Sequence, residues 1–479
     1  MENKIVIIGA GPAGLTVGYE LKKRNQRFYI LEKDSFIGGI ARTIKYKGFR
    51  FDIGGHRFFT KDPKIERIWK TLLPPENWLK RQRLSRIYYD RFFFDYPLRL
   101  GNVVRGLGVK RSAAITLSYL NSRLFPIKDE RTFEDWIVNR FGRHLYRTFF
   151  KTYTEKLWGV DCNQIQAQWA AQRIRGLSFF SAVKDAICSQ LRMNHSSVIK
   201  TLITEFSYPK LGPGMLWEAM MKKIEDGKIG RVNLNTQVVK LILNKKGNKI
   251  TKVVIKDKQG MEKIVRTSAV FSSMPISQLI PSLYPSAPHG VIEASQKLHY
   301  RDFILVALMF KIKNNFPDNW IYIHAPEVKI GRVQNFKNWS PFLVPNNQFV
   351  SLGLEYFCTR GDLLWNQADS QLKKLAKKEL IMTGLLEPGK KNIDGKVVRV
   401  PKAYPVYDQD YKIVMPIVRH YLQQIKNLYP IGRNGMHKYN NMDHSMLTAI
   451  LSVKNFYGAK HDIWRVNTEK KYHEEKHEY

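Results

Sequence analysis

Cysteine is scarce here: Cys162, Cys188 and Cys358 are the only three in 479 residues. No CxxC pair or Cys/His spacing accompanies them, which argues against a disulfide framework and a zinc cluster. The count fits a reducing compartment. Long apolar runs are also missing. The longest candidate, Phe303 to Phe310, falls well short of the ~18 residues a membrane span needs. Met1-Glu2-Asn3-Lys4 leads straight into a strand-like run with no leader pattern. The expectation is a soluble, cytoplasmic protein. Acidic residues are few: 41 Asp plus Glu stand against 79 Lys plus Arg, a formal net charge of +38. Such a field favours phosphorylated small molecules, other polyanions or an anionic membrane surface, and leaves peripheral membrane association open. The basic residues spread along the chain rather than gather in a tail, which speaks against a nucleic-acid partner. Low-complexity segments and internal repeats are absent, and a 44% hydrophobic content excludes global disorder.

What is present begins at the N-terminus. Lys4 to Ile8 is a continuous apolar run of the kind found in buried parallel strands. Gly9-Ala10-Gly11-Pro12-Ala13-Gly14 follows, then a helical pattern from Leu15 to Arg24, then a strand-like run from Arg27 to Leu31 that ends at Glu32. This is one βαβ unit. From Arg111 to Gln190 apolar residues recur at three- and four-residue spacings, which predicts helix. Strand signals dominate from Val232 to Phe271, and again at Ile304 to Ile312 and Phe349 to Glu355; Ser370 to Thr383 reads as helix. The tail from Glu469 is charged.

GxGxxG alone is a weak motif, but here a strand precedes it, a helix follows it, and Glu32 closes the next strand 23 positions after Gly9. The glycines let backbone N–H groups approach a pyrophosphate, the helix N-terminus favours its charge, and Glu32 can accept from ribose hydroxyls. Three later segments point to FAD rather than NAD: Gly38-Gly39-Ile40-Ala41-Arg42; Phe51-Asp52-Ile53-Gly54-Gly55-His56; and the pair Ile431-Gly432-Arg433-Asn434-Gly435 and Asn441-Met442-Asp443-His444-Ser445. Glycine-rich segments at both ends of the chain suit one long cofactor.

These segments resemble the FAD domain shared by amine oxidases, protoporphyrinogen oxidases and UDP-galactopyranose mutases. Over nearly its whole length the chain resembles the last of these, in the longer eukaryotic-type form. The resemblance implies that His56 lies against the flavin, that Tyr96-Pro97 contributes to the nucleotide pocket, and that Trp158, in Lys156-Leu157-Trp158, is near the substrate. It places Arg173 and Arg332 on the substrate diphosphate, with Tyr322, Tyr404 and Tyr439 beside them and Asn441 touching flavin and substrate. Val238, Arg433, Met442 and Ser445 join the glycines Gly9, Gly11, Gly14, Gly38, Gly39, Gly54, Gly55 and Gly432, with Pro12, Ala13, Glu32 and Arg42, as cofactor contacts. Departures fall in the nucleotide pocket, where Arg99 stands for a family Gln and Thr154 for a family Asn, and beside the flavin, where Met442 stands for Gln.

The implied fold is α/β. A Rossmann-like FAD-binding domain is assembled from 1–85, 206–285 and 411–465, and 86–100 supplies a strand of the substrate sheet. An inserted helical domain spans 101–205, an antiparallel substrate sheet 286–410 and a charged tail 466–479. The implied reaction has no net redox change: reduced FAD attacks the anomeric carbon of a nucleotide-diphosphate sugar through N5, the diphosphate leaves, and the adduct's ring opens and recloses to interconvert pyranose and furanose. A flavin oxidase of the amine-oxidase or protoporphyrinogen-oxidase kind shares the FAD signature, and a flavin-bearing binder of polyanions or membrane is a third class. The external reductant and the oligomeric state are left open by the sequence.

Overall fold

The computed structural model describes residues 4–96, 98, 100–167 and 204–468. Arg173, Arg99, Pro97 and Cys188 lie outside the described residues.

The N-terminal run folds as expected. Strand β1 (Lys4–Ile8) is buried and apolar, helix α1 (Pro12–Lys22) starts with proline in its first turn, and β2 (Phe28–Leu31) returns parallel to β1 with Ile5 opposite Phe28 and Ile8 opposite Leu31. Both strands sit inside an eight-stranded sheet. β1 also runs parallel to Glu262–Ser272, and β2 to Gly230–Asn233. Leu428–Pro430 adds a parallel strand to Glu262–Ser272. Helix Met442–Phe456 packs along α1, so the last segment of the chain lies beside the first.

A second sheet of seven strands is built from Ser85–Tyr89, Phe92–Asp95 and the strands between Tyr300 and Pro405. Its pairings are antiparallel except that Trp320–Ile323 runs parallel to Ser85–Tyr89. The register sets a row across three strands: Tyr322 stands opposite Arg332, and Arg332 opposite Glu355. Neighbours in such a row share one face of the sheet.

Between the sheets in sequence come helices Leu100–Leu124, Phe133–Phe141 and Thr152–Trp158. The helical reading from Arg111 thus holds through the described part of the segment. Phe133–Phe141 begins where Thr132 and Asp135 cap each other: Asp135 N–H donates to Thr132 Oγ1 at 3.1 Å and Thr132 N–H to Asp135 Oδ2 at 2.9 Å. Its buried Phe133, Trp136 and Ile137 join Trp158, Phe303 and Tyr404 in one apolar cluster. That cluster fastens the helices to the seven-stranded sheet. The fold is the α/β arrangement the sequence implied, a Rossmann-like unit with helices and a largely antiparallel sheet.

Candidate active site

The glycine loop between β1 and α1 has two kinds of glycine. A Cβ on Gly14 would stand 1.9 Å from Gly9 O, so packing of the loop on itself demands glycine there. Gly11 is different. Its φ is −77°, open to any residue, and a Cβ would meet nothing nearer than Gly39 Cα at 4.0 Å. Neither strain nor protein packing requires that glycine. A Cβ would fill a cradle instead, as expected where a backbone must approach a bound group. Helix α1 starts at Gly11 with no side-chain cap and no acidic residue in its first turn. Its N-terminal amides and dipole are therefore left for an anion.

Glu32 closes the loop from the side. Its carboxylate accepts Ala10 N–H at 2.7 Å and Asp34 N–H at 3.0 Å. Burial holds its pKa above the usual carboxylate range. Arg42 is equally structural in position: Nη1 donates to Gly39 O at 2.6 Å, the guanidinium lies 3.7 Å from the Phe36 ring, and burial lowers its pKa to about 10.

From this loop a cavity of about 280 Å³ runs toward the seven-stranded sheet. Gly11, Pro12, Ala13 and Gly39 line one end; Gly54, Gly55, His56, Arg332, Tyr404 and Tyr439 line the other. The C-terminal segment completes it with Gly432, Arg433, Asn441, Met442, Asp443 and Ser445. The three glycine-bearing segments singled out in sequence thus meet at one cavity. The residues present fit a dinucleotide-type cofactor: an open cradle at Gly11, an uncapped helix terminus and a long adjoining space.

Arg332 is held firmly. Its Nε donates to Glu355 Oε1 at 3.0 Å and its Nη2 to Glu355 Oε2 at 2.6 Å, and Gln334 Nε2 donates to Glu355 Oε1 at 2.5 Å. Glu355 is fully buried. Burial alone would lower the arginine's pKa, but Glu355 and the neighbouring phenols of Tyr404 and Tyr153 more than offset it, so the guanidinium stays charged. Nη1 is the nitrogen Glu355 does not engage. Tyr404 and Tyr439 stack 5.6 Å apart at 14°, with the Arg433 guanidinium 4.7 Å from the Tyr439 ring. Arg433 is fixed by Nε to Asn440 O at 2.9 Å and Nη1 to Ala403 O at 3.0 Å.

His56 lies between these cations. Nδ1 is 3.2 Å from Gly54 O, a geometry in which the neutral ring donates from Nδ1 and accepts at Nε2. Burial first, then the charges of Arg433 and Arg332, push its pKa down to about 3. Burial first, with the charge of Asp62 adding to it, raises Asp443 to about 7.

Not every candidate reaches the cavity. Trp158 packs behind it, 6.3 Å from the Tyr404 ring and 6.1 Å from Tyr439. Tyr96 and Tyr322 pair at 5.5 Å in a neighbouring aromatic group, Tyr322 standing opposite Arg332 in the sheet. Gly9, Gly14, Gly38, Glu32 and Arg42 shape the loop from below, and Val238 is a buried strand residue in the apolar core. Lys156, in the stretch that the resemblance sets near the substrate, turns its ammonium to four carbonyls, Ile323, Ala325, Val328 and Ile330, at 2.9 to 3.3 Å, which share its three N–H donors. It closes the turn that leads into Arg332.

Three participants escaped sequence reasoning: Glu355 and Gln334, which hold Arg332, and Tyr153, which packs 5.6 Å from Tyr322 and stacks on His324 at 4.6 Å. The only trace of Glu355 was a lone acid in an apolar strand, Phe349–Cys358.

The NAD(P)-binding Rossmann-like domain family matches residues 7–72. The dTDP-fucopyranose mutase of Escherichia coli is 26% identical over 174 residues, 34% of this chain and 44% of that protein. The chain therefore matches less than half the length of that curated relative. The crystal structure of reduced UDP-galactopyranose mutase superposes with a TM-score of 0.83 at 20% identity, covering 98% of this chain and 97% of the other. Putrescine oxidase bound to putrescine superposes with a TM-score of 0.63 at 12% identity, covering 96% and 100%. At such identities the structural likeness is one of fold, and a fold of this kind hosts more than one chemistry. Domain match, sequence likeness and fold agree: the chain carries a Rossmann-like dinucleotide-binding domain, is similar over about a third of its length to a dTDP-fucopyranose mutase, and has the fold of UDP-galactopyranose mutase.

Proposed function

We propose that the protein is a flavin-dependent mutase of nucleotide-diphosphate sugars, interconverting pyranose and furanose forms with its flavin reduced. The observation that carries this reading is geometric: two guanidiniums, Arg332 and Arg433, line the sheet end of the cavity together with the phenols of Tyr404 and Tyr439. Such a set of N–H and O–H donors suits a diphosphate better than a protonated amine. The E. coli relative, named as a mutase of a nucleotide sugar, supports the same reading.

The flavin, when bound, supplies a ring that is nucleophilic in its reduced state. The rest falls to the chain. Gly11 and the α1 N-terminus hold the cofactor pyrophosphate, and Glu32 orients the loop. Arg332, anchored by Glu355, presents Nη1 to the leaving diphosphate, with Arg173 as the second clamp that the family resemblance supplies. Tyr404, which burial keeps protonated, donates as a neutral hydroxyl; Tyr439 stands with it. Pre-set donors of this kind stabilise charge as the anomeric C–O bond breaks, without reorganising at that moment. His56 keeps its Nδ1 proton on Gly54 O and offers Nε2 as an acceptor to the ring edge.

The test is turnover by the flavin-loaded protein, reduced with dithionite without oxygen, on UDP-galactofuranose and dTDP-fucofuranose in parallel. Chromatography should show the pyranose form in reduced samples and none in oxidised ones. Failure with both sugars, together with oxygen uptake on putrescine, would overturn the mutase reading in favour of an oxidase.

A further inference from the structure

The helix Leu100–Leu124 is apolar on two sides. Ile115 and Tyr119 face inward, only 3% and 6% exposed. Beyond the break at Gly108, where φ is +79°, Val109, Leu117, Leu120 and Leu124 run along the outer face at three-, four- and eight-residue steps. Their exposures are 75%, 67%, 48% and 74%, and Phe125 at the helix end is 76% exposed. Residues at such steps share one face of a helix. A stripe of five large apolar side chains in water calls for a partner.

Charge identifies the partner. Between Asp95 and Asp129 the sequence has no acidic residue and six basic ones, among them Lys110, Arg111, Arg123 and Lys128. Arg111 pairs with Asp90 at 2.5 Å. A second copy of the chain is disfavoured, because a two-fold contact would set one strongly basic stretch against another. An anionic lipid surface complements both features: apolar side chains enter the acyl boundary and lysine and arginine heads reach the phosphates. No helix among the described residues is long and apolar enough to cross a membrane, so the helix would lie in the interface plane. We infer that the Gly108–Phe125 face docks the protein onto anionic membranes. This placement is independent of the reaction proposed above.

Flotation of the full-length, flavin-loaded protein with phosphatidylcholine vesicles, with and without about one third phosphatidylglycerol, tests it. The protein should float with the anionic vesicles only. The triple variant Leu117→Ser, Leu120→Ser, Leu124→Ser should bind roughly ten-fold or more weakly, with unchanged flavin content and no loss of Tm, because the three side chains are already in water. Absence of wild-type binding, equal binding to neutral vesicles, or equal binding by the triple variant each overturns the inference. So does self-association of the wild type, by sedimentation equilibrium, that the triple variant abolishes while neither protein floats; the stripe would then be an interface between copies.

Discussion

At the scale of single residues, the strongest coupling in the site is the fork between Arg332 and Glu355. The glutamate is wholly buried and its bonds run to Arg332 and Gln334. Arg332→Ala should therefore act twice. It removes the proposed diphosphate donor and leaves a buried carboxylate uncompensated, a loss of about 3–5 kcal/mol that thermal melting would register as a marked fall in Tm. Arg332→Lys keeps the charge but not the planar two-point bond. It should melt closer to wild type and still lose roughly 10²–10³ in turnover. Equal falls in Tm for both variants would contradict this division. Gly11 allows a second test. Its neighbours leave room for a side chain, so Gly11→Val should keep the Tm of the flavin-free protein while purifying without yellow colour.

Elements add effects that no residue has alone. Lys156, on helix Thr152–Trp158, ties down the turn between strands Trp320–Ile323 and Arg332–Asn335 through its four carbonyl bonds. Burial brings its pKa down to about 8. Lys156→Met should orphan those carbonyls and cost about 3 kcal/mol. Because the turn sets the position of Arg332, KM for the proposed nucleotide-sugar substrate should rise while flavin content stays unchanged. Asp52, at the end of strand Phe49–Asp52, accepts from Thr43 Oγ1 at 2.9 Å and from the Tyr208 hydroxyl, and burial lifts its pKa to about 7. A carboxyl raised in the folded state binds its proton more tightly there than in the unfolded chain. Its contribution to stability is fully present below the ordinary value of 3.8 and is lost as pH rises through about 7. Asp52→Asn has no such proton to lose. The difference in Tm between wild type and Asp52→Asn should therefore shift against wild type as pH is raised from about 4 to 8, and a pH-independent difference would refute the assignment.

At the scale of the whole molecule, the cavity exists because two sheets meet. One carries the glycine loop and the other carries Arg332, and no segment of the chain contains both. The family resemblance placed Arg332, Tyr404 and Tyr439 at a common site, and the structure brings these three to the cavity wall. It sets Trp158, Tyr96 and Tyr322 behind or beside that wall, where they shape it by packing. Arg173 falls outside the described residues. Helices Gly214–Glu225, His289–Gln296 and Gln409–Gln424 were not read from sequence; the last holds Pro416 in its interior, which weakens any local helix signal.

The sequence by itself determined the βαβ unit and its glycine loop. Their cause is local: apolar strand runs, the positive φ of Gly9, the close packing of Gly14 on Gly9, and Pro12 at a helix start act over a few neighbouring residues. The excess of positive charge is likewise a property of composition. Only the tertiary structure decided which acid neutralises Arg332, that Lys156 serves a turn rather than a ligand, and which face of Leu100–Leu124 is left in water. Each of those depends on strand register or helix packing between residues far apart in the chain. Such pairings are set by the burial of whole elements, and periodicity within one segment carries no record of them.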